Sequence, residues 1–187
     1  MEELNISDIK VLWSKNEIDT AVQKLAKEII NNLKDHETIN LIPILTGGLV
    51  LASNLLLELE KLKPGSSRMF PLIAKTYGNT TESQGTKIYG YEFLSDSLEK
   101  NSPSIIVDDL MDTGETLLKV RENVLGISDQ KVYTAVLVDK LGNRNNIFHP
   151  DFTCFVLDDN KWIVGYGMDY AGKYRGLDYV GSIVKGL

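Results

Sequence analysis

The sequence predicts an α/β fold, a mainly parallel sheet flanked by helices, and three observations carry that prediction. Mainly apolar or β-branched runs at residues 39–45, 104–107 and 132–138 read as strands buried on both faces. Helical patterns fall between them, so strands and helices alternate at the spacing of parallel βαβ units. The chain has 187 residues and is 43% hydrophobic, enough for one sizeable core and short for two, so residues 1–187 are expected to form a single domain.

The elements follow in order. A short apolar run at 9–13 predicts a first strand. Ser14 and Glu17 then form an S-x-x-E capping box ahead of Ile18, Val22, Leu25, Ile29 and Leu33, which recur at helical spacing. The run 39–45, the turn Thr46-Gly47-Gly48 and a helix over 49–62 make a second strand-helix unit. A strand over 69–76, a polar loop, and a weaker strand near 87–93 come next. Residues 104–107 form a strand leading into an acidic loop, followed by a helix over 114–125 and a strand over 132–138. Ligands of such sheets bind beyond the carboxyl ends of the strands, which directs attention to the loops after Leu45, Val107 and Val138.

Composition narrows the chemistry. The net charge of −6 argues against a nucleic-acid surface, which needs an excess of Lys and Arg. The first residues carry neither a basic leader nor an apolar segment, and no uncharged run is long enough for a bilayer, so a cytoplasmic protein without membrane contact is expected. Cys154 is the single cysteine, and with two histidines it cannot build an ordinary zinc site. A metal would have to be held by carboxylates, which points to a hard ion such as Mg²⁺.

The informative stretch is VDDLMDTGET, residues 107–116. Asp108, Asp109 and Asp112 lie within five positions directly after a hydrophobic run. Carboxylates this close repel one another and favour bound cations or hydroxyl donors. Thr113, Gly114, Glu115 and Thr116 then bring two hydroxyls and backbone amides to a helix N-terminus, where a phosphate is stabilised by the unpaired N–H groups and the dipole. An acidic turn with an ordinary helix cap is the bland alternative. The third carboxylate and the glycine, placed after a buried strand, favour a site that grips a ribose 5-phosphate.

This stretch resembles the phosphoribosyl diphosphate signature of type I phosphoribosyltransferases. The run PDFTCFVLDDNKWIVGYGMDYAGKYR, residues 150–175, resembles the purine-binding segment of the hypoxanthine and hypoxanthine-guanine members, and the likeness extends to Thr76-Tyr77-Gly78 and to Val138-Asp139-Lys140. It implies the type I phosphoribosyltransferase fold, with a small hood formed by N- and C-terminal segments over the sheet. It implies a purine-salvage enzyme that moves 5-phosphoribosyl from phosphoribosyl diphosphate to N9 of a 6-oxopurine, as a homodimer or homotetramer, with Mg²⁺.

Carried over residue by residue, the resemblance implies that Asp108 and Asp109 hold the ribose hydroxyls, while residues 112–116 receive the 5-phosphate and the purine. Asp112 would be the general acid/base at purine N7. Lys140 would donate to the exocyclic oxygen, although by position alone it is an ordinary strand-end lysine. Trp162 would stack on the purine beside Ile163; a core or rim tryptophan is the other reading. Asp169, with Asp108 and Asp109, would serve Mg²⁺, and Arg175 would clamp diphosphate with its planar fork of donors, assisted by Arg144. Thr46 and Gly47 would meet diphosphate, and Thr76 and Tyr77 would head a lid that excludes water.

The chain departs from the family pattern at three of these positions. Thr46 replaces a frequent basic residue, which leaves backbone amides for diphosphate; Thr76 replaces serine and Trp162 replaces phenylalanine. LTGGLVLAS lacks the Gly-Lys-Ser/Thr of a Walker A loop, and GYGMDYAG has the wrong spacing for a dinucleotide fingerprint. A nucleic-acid-binding regulator that kept the pocket would need a basic face or a further domain, and neither is evident. A transferase for xanthine or a pyrimidine is the other alternative.

Overall fold

The structure is a computed structural model that describes residues 4–76, 86–142 and 148–184 and, at residues 75, 76 and 86, the backbone alone. In chain order it contains β1 (Ile9–Trp13), α1 (Lys15–Asn32), β2 (Ile39–Leu45), α2 (Leu49–Leu62), β3 (Ser67–Met69), β4 (Leu72–Thr76), β5 (Thr86–Tyr89), α3 (Tyr91–Ser97), β6 (Ser104–Met111), α4 (Glu115–Leu125), β7 (Val132–Lys140), β8 (Phe152–Leu157), β9 (Ile163–Val164) and β10 (Val180–Ile183).

The main sheet runs β5-β4-β2-β6-β7-β8, with β3 also against β2. Its strands are parallel except β5, which returns antiparallel to β4. Alternation along each strand sends side chains to two cores. Leu41, Ile105 and Leu137 pack with α1 and α2 through Ile18, Ile29, Leu51 and Leu55. Their neighbours Ile42, Ile106 and Val136 face α4 and α3 through Val120, Val124 and Leu94. Burial on this scale is worth about 1.5–3 kcal/mol for each large side chain. The expected mainly parallel sheet flanked by helices is therefore present.

One expectation is met outside the main sheet and three are corrected. β1 pairs antiparallel with β10, which pairs with β9, in a separate three-stranded sheet. That sheet has a small core of Leu4, Ile9, Val164 and Ile183, with Tyr170, Tyr174, Leu177 and Tyr179 against it. It is the expected hood, joining the first and last strands of the chain. The strand over 69–76 is two strands, because Pro71 has no N–H for a ladder: β3 pairs with the start of β2 and β4 with its end. The strand near 87–93 stops at Tyr89, since Gly90, at φ +86, turns the chain into α3.

The third correction bears on the site. The strand that begins at Ser104 does not end at Val107: β6 continues to Met111 beside β7, with Asp108 opposite Val136 and Met111 opposite Asp139. Asp108 and Asp109 thus belong to a strand end, and only residues 112–114 form the turn into α4.

Candidate active site

A cleft of about 400 Å³ opens above the carboxyl ends of β2, β6 and β7. Its lining gathers Thr46, Gly47, Asp108, Asp109, Asp112, Thr113, Gly114, Thr116, Lys140, Trp162, Ile163, Asp169 and Arg175. Residues far apart in sequence meet here because the sheet presents its loops at one edge and the hood folds over them. Glu115 is not among the lining residues: Gly114 caps α4 at φ +82, and the Glu115 side chain that follows is exposed. Thr76 ends β4, its side chain outside the described atoms, and Tyr77 and Arg144 lie outside the described residues.

At the floor, Lys140 Nζ stands 3.5 Å from Asp112 Oδ2. The lysine side chain is only 7% exposed, which is unusual for an ammonium and rules out the solvated strand-end reading. A cation donor and a carboxylate therefore sit together on one wall. Beside them, the N-terminus of α4 brings the hydroxyl-bearing Thr113 and Thr116 to the cleft.

Asp108 and Asp109 lie partly buried at the end of β6. Burial, reinforced by the Asp109 charge, pushes the Asp108 carboxyl well above its usual range, against a smaller opposing pull from Arg175. Burial likewise raises Asp109, countered by its bond with Asp108 and by Arg175. Asp108 Oδ1 also accepts the Asp109 N–H at 3.0 Å. Taken out of water, both carboxyls are left favouring a bound proton, cation or hydroxyl donor.

Glycines bring the backbone this close. A side chain at Gly47 would enter the Asp109 carboxylate, one at Gly48 the Val107 carbonyl, and one at Gly167, at φ +109, the Gly47 carbonyl. The Leu45–Thr46 peptide between β2 and this turn is cis. Gly167 thus locks the hood onto the turn.

On the hood side, Arg175 Nη2 pairs with Asp169 Oδ1 at 2.5 Å, its Nη1 donates to the Gly167 carbonyl at 2.6 Å, and Asp109 Oδ2 is 4.0 Å from Nη1. Asp169 Oδ2 accepts the Gly172 N–H at 2.7 Å, and its carbonyl accepts the Trp162 indole N–H at 3.1 Å. Among the described residues no three His, Cys, Asp or Glu side chains converge well enough to hold a metal ion. As placed, Asp169 turns to Arg175, and Asp108, Asp109 and Asp169 do not meet at one point.

Sequence reasoning missed the apolar walls, Ile44, Ala74, Leu110, Leu117 and Met168. Most belong to elements it had assigned to the core. Met168, buried amid GYGMDY, was missed as well, since only the tertiary packing shows what it covers.

Residues 14–171 match the phosphoribosyl transferase domain family. The hypoxanthine-guanine phosphoribosyltransferase of Streptococcus pneumoniae (strain ATCC BAA-255 / R6) is 33% identical over 174 residues, covering 93% of this chain and 92% of that protein. The enzyme of that name from Rattus norvegicus is 31% identical over 163 residues, 84% of this chain and 73% of its own. Among solved structures, the Trypanosoma cruzi hypoxanthine phosphoribosyl transferase superposes with a TM-score of 0.81 at 25% identity, covering 93% of this chain and 90% of that one. Agreement in sequence and in fold over nearly the whole length places this chain in the phosphoribosyltransferase family, within its hypoxanthine-guanine phosphoribosyltransferase group.

Proposed function

We propose that the protein transfers the 5-phosphoribosyl group of phosphoribosyl diphosphate to N9 of hypoxanthine or guanine. The bond from ribose C1 to the diphosphate oxygen breaks, the bond from C1 to N9 forms, and the purine proton passes to Asp112. The observation that carries this reading is the Asp112–Lys140 pair, 3.5 Å apart on one wall of a cleft that also holds the α4 N-terminus and two buried acids. Asp112 takes the proton at purine N7, and Lys140 donates to the exocyclic 6-oxygen, so that electron density drawn from the base is stabilised as it shifts.

Asp108 and Asp109 accept hydrogen bonds from the ribose hydroxyls, and Thr113 and Thr116 with the α4 terminus receive the 5-phosphate. Trp162 and Ile163 close over the base, with Thr46, Gly47 and Arg175 toward the diphosphate. The same reading gives Arg144 a share in diphosphate binding and Thr76 and Tyr77 the head of a water-excluding lid. Asp108, Asp109 and Asp169 would hold Mg²⁺ together with substrate oxygens and waters. Burial, the main cause that raises Asp108 and Asp109, favours bound cations and hydroxyl donors there and supports that donor set. Bound there, Mg²⁺ would neutralise charge on the departing diphosphate.

We read residues 1–187 as one domain, since a single core cluster reaches from Ile18 to Val180. The assembly is a homodimer or homotetramer, and the compartment is the cytoplasm; among the described residues no helix is long and apolar enough to cross a membrane. Neither nucleic acid nor membrane is a partner. The deciding assay measures diphosphate release from phosphoribosyl diphosphate and Mg²⁺ with hypoxanthine, guanine, xanthine, adenine and uracil in parallel. Hypoxanthine or guanine turns over, and Asp112→Asn lowers kcat about 100-fold or more. Turnover of xanthine alone, or of no base, overturns the assignment.

A further inference from the structure

Trp162 carries one polar atom, and the fold uses it. The side chain is 50% exposed at the cleft, yet its Nε1–H donates to the Asp169 carbonyl at 3.1 Å. The Tyr170 ring meets the indole edge-on, at 6.2 Å between centroids and 87° between planes. The Trp162 carbonyl accepts the Ile183 N–H at 2.9 Å, so the residue is anchored to the hood sheet from behind.

Asp169 opens a tight turn. Tyr170 and Lys173 exchange backbone hydrogen bonds of 3.1 and 3.0 Å, and Ala171 and Gly172 adopt left-handed φ values of 52° and 80°. The Asp169 carboxylate is divided between Gly172 N–H and Arg175. Its direction therefore depends on the plane of its own peptide, and the indole holds the carbonyl of that peptide. Phenylalanine offers a comparable ring face and no donor.

We infer that Trp162 is a positioning residue for Asp169: its indole N–H fixes the Asp169 backbone, and so couples the base platform to the diphosphate end of the cleft. This rests on the functional reading above. Base and diphosphate then bind with a shared free energy, each strengthening the other, because both draw on the same held peptide.

Calorimetric titration of diphosphate with Mg²⁺ into wild type, Trp162→Phe, Asp169→Asn and the double variant tests this. Loss of one neutral hydrogen bond predicts about fivefold weaker diphosphate binding in Trp162→Phe, a larger change than that in hypoxanthine affinity. In the Asp169→Asn background the same substitution has less than about a twofold effect, since the carboxylate it positions is gone. Unchanged diphosphate affinity in Trp162→Phe, or an equal loss in both backgrounds, overturns the inference. If Trp162→Phe melts more than a few degrees lower, Trp162→Tyr is judged by the same criterion. A wild type that neither binds diphosphate nor turns over a purine fails the functional reading itself, an outcome separate from a silent Trp162→Phe.

Discussion

Asp108 shows at the scale of one residue how the site is set against the stability of the fold. Burial and then the neighbouring Asp109 raise its proton affinity on folding. A carboxyl that binds its proton more tightly in the native chain makes folding less favourable as pH rises from the ordinary value, about 4, through the higher native one. At neutral pH this raised proton affinity therefore works against the fold. Asp108→Asn removes the charge and keeps an oxygen for the Asp109 N–H that is now 3.0 Å away. In metal-free buffer at pH 7 the variant melts above wild type, by about 2–4 °C for each kcal/mol recovered. Below the ordinary carboxylate range both carboxyls are protonated and the two curves meet. A variant less stable than wild type at pH 7 contradicts the argument, whatever its activity. The gain in stability should accompany a loss of turnover, as it does where a site is held in an unfavourable electrostatic state.

Elements differ in how openly the sequence states them. The bounds of β2 and α2 were legible to the residue, because Ile39–Leu45 is apolar but for Asn40 and Gly47-Gly48 punctuates it. α1 was legible from its cap: Glu17 Oε2 accepts both the Ser14 N–H at 2.8 Å and the Ser14 hydroxyl at 2.6 Å. Bonds from the Ser14 side chain and then its backbone hold Glu17 below the usual carboxylate range, so this support is present at neutral pH and fades as acid protonates Glu17. Ser14→Ala lowers Tm by a few degrees at pH 7, with a smaller difference at pH 3, as thermal melts at the two values would record. The end of β6 was not legible. Two aspartates and a nearby glycine read as a loop, and only the partner strand β7, remote in sequence, keeps them extended. The site itself followed the same division. Asp112, Lys140 and Arg175 were found through the family likeness, whereas Met168 and Gly167 required the tertiary packing that makes them necessary.

The whole molecule divides the cleft between two bodies of structure. The main sheet supplies Asp108, Asp109, Asp112 and Lys140, and the hood side supplies Trp162, Asp169 and Arg175. Among the contacts that join them are Gly167 against Gly47, Trp13 of β1 stacked on Phe155 of β8 at 4.5 Å, and Ile163, Tyr166 and Met168 set into the larger core. The hood core is small, and Gly181 in β10 sits where an added side chain would strike Ile9 and come within 3.1 Å of the Lys10 carbonyl. Gly181→Val should therefore part β1 from β10 without reaching the sheet interior, where Ile105, Ile106 and Val136 are fully buried. Hydrogen exchange would quicken at residues 9–11 and 181–183 and stay slow at 104–107 and 132–138. Because Trp162 hangs on Ile183, purine affinity falls about tenfold, while ribose 5-phosphate still binds at the sheet half. If exchange quickens everywhere at once, hood and sheet open as one cooperative unit. The purine and phosphate ends of the cleft would then share a single stability instead of being loosened separately.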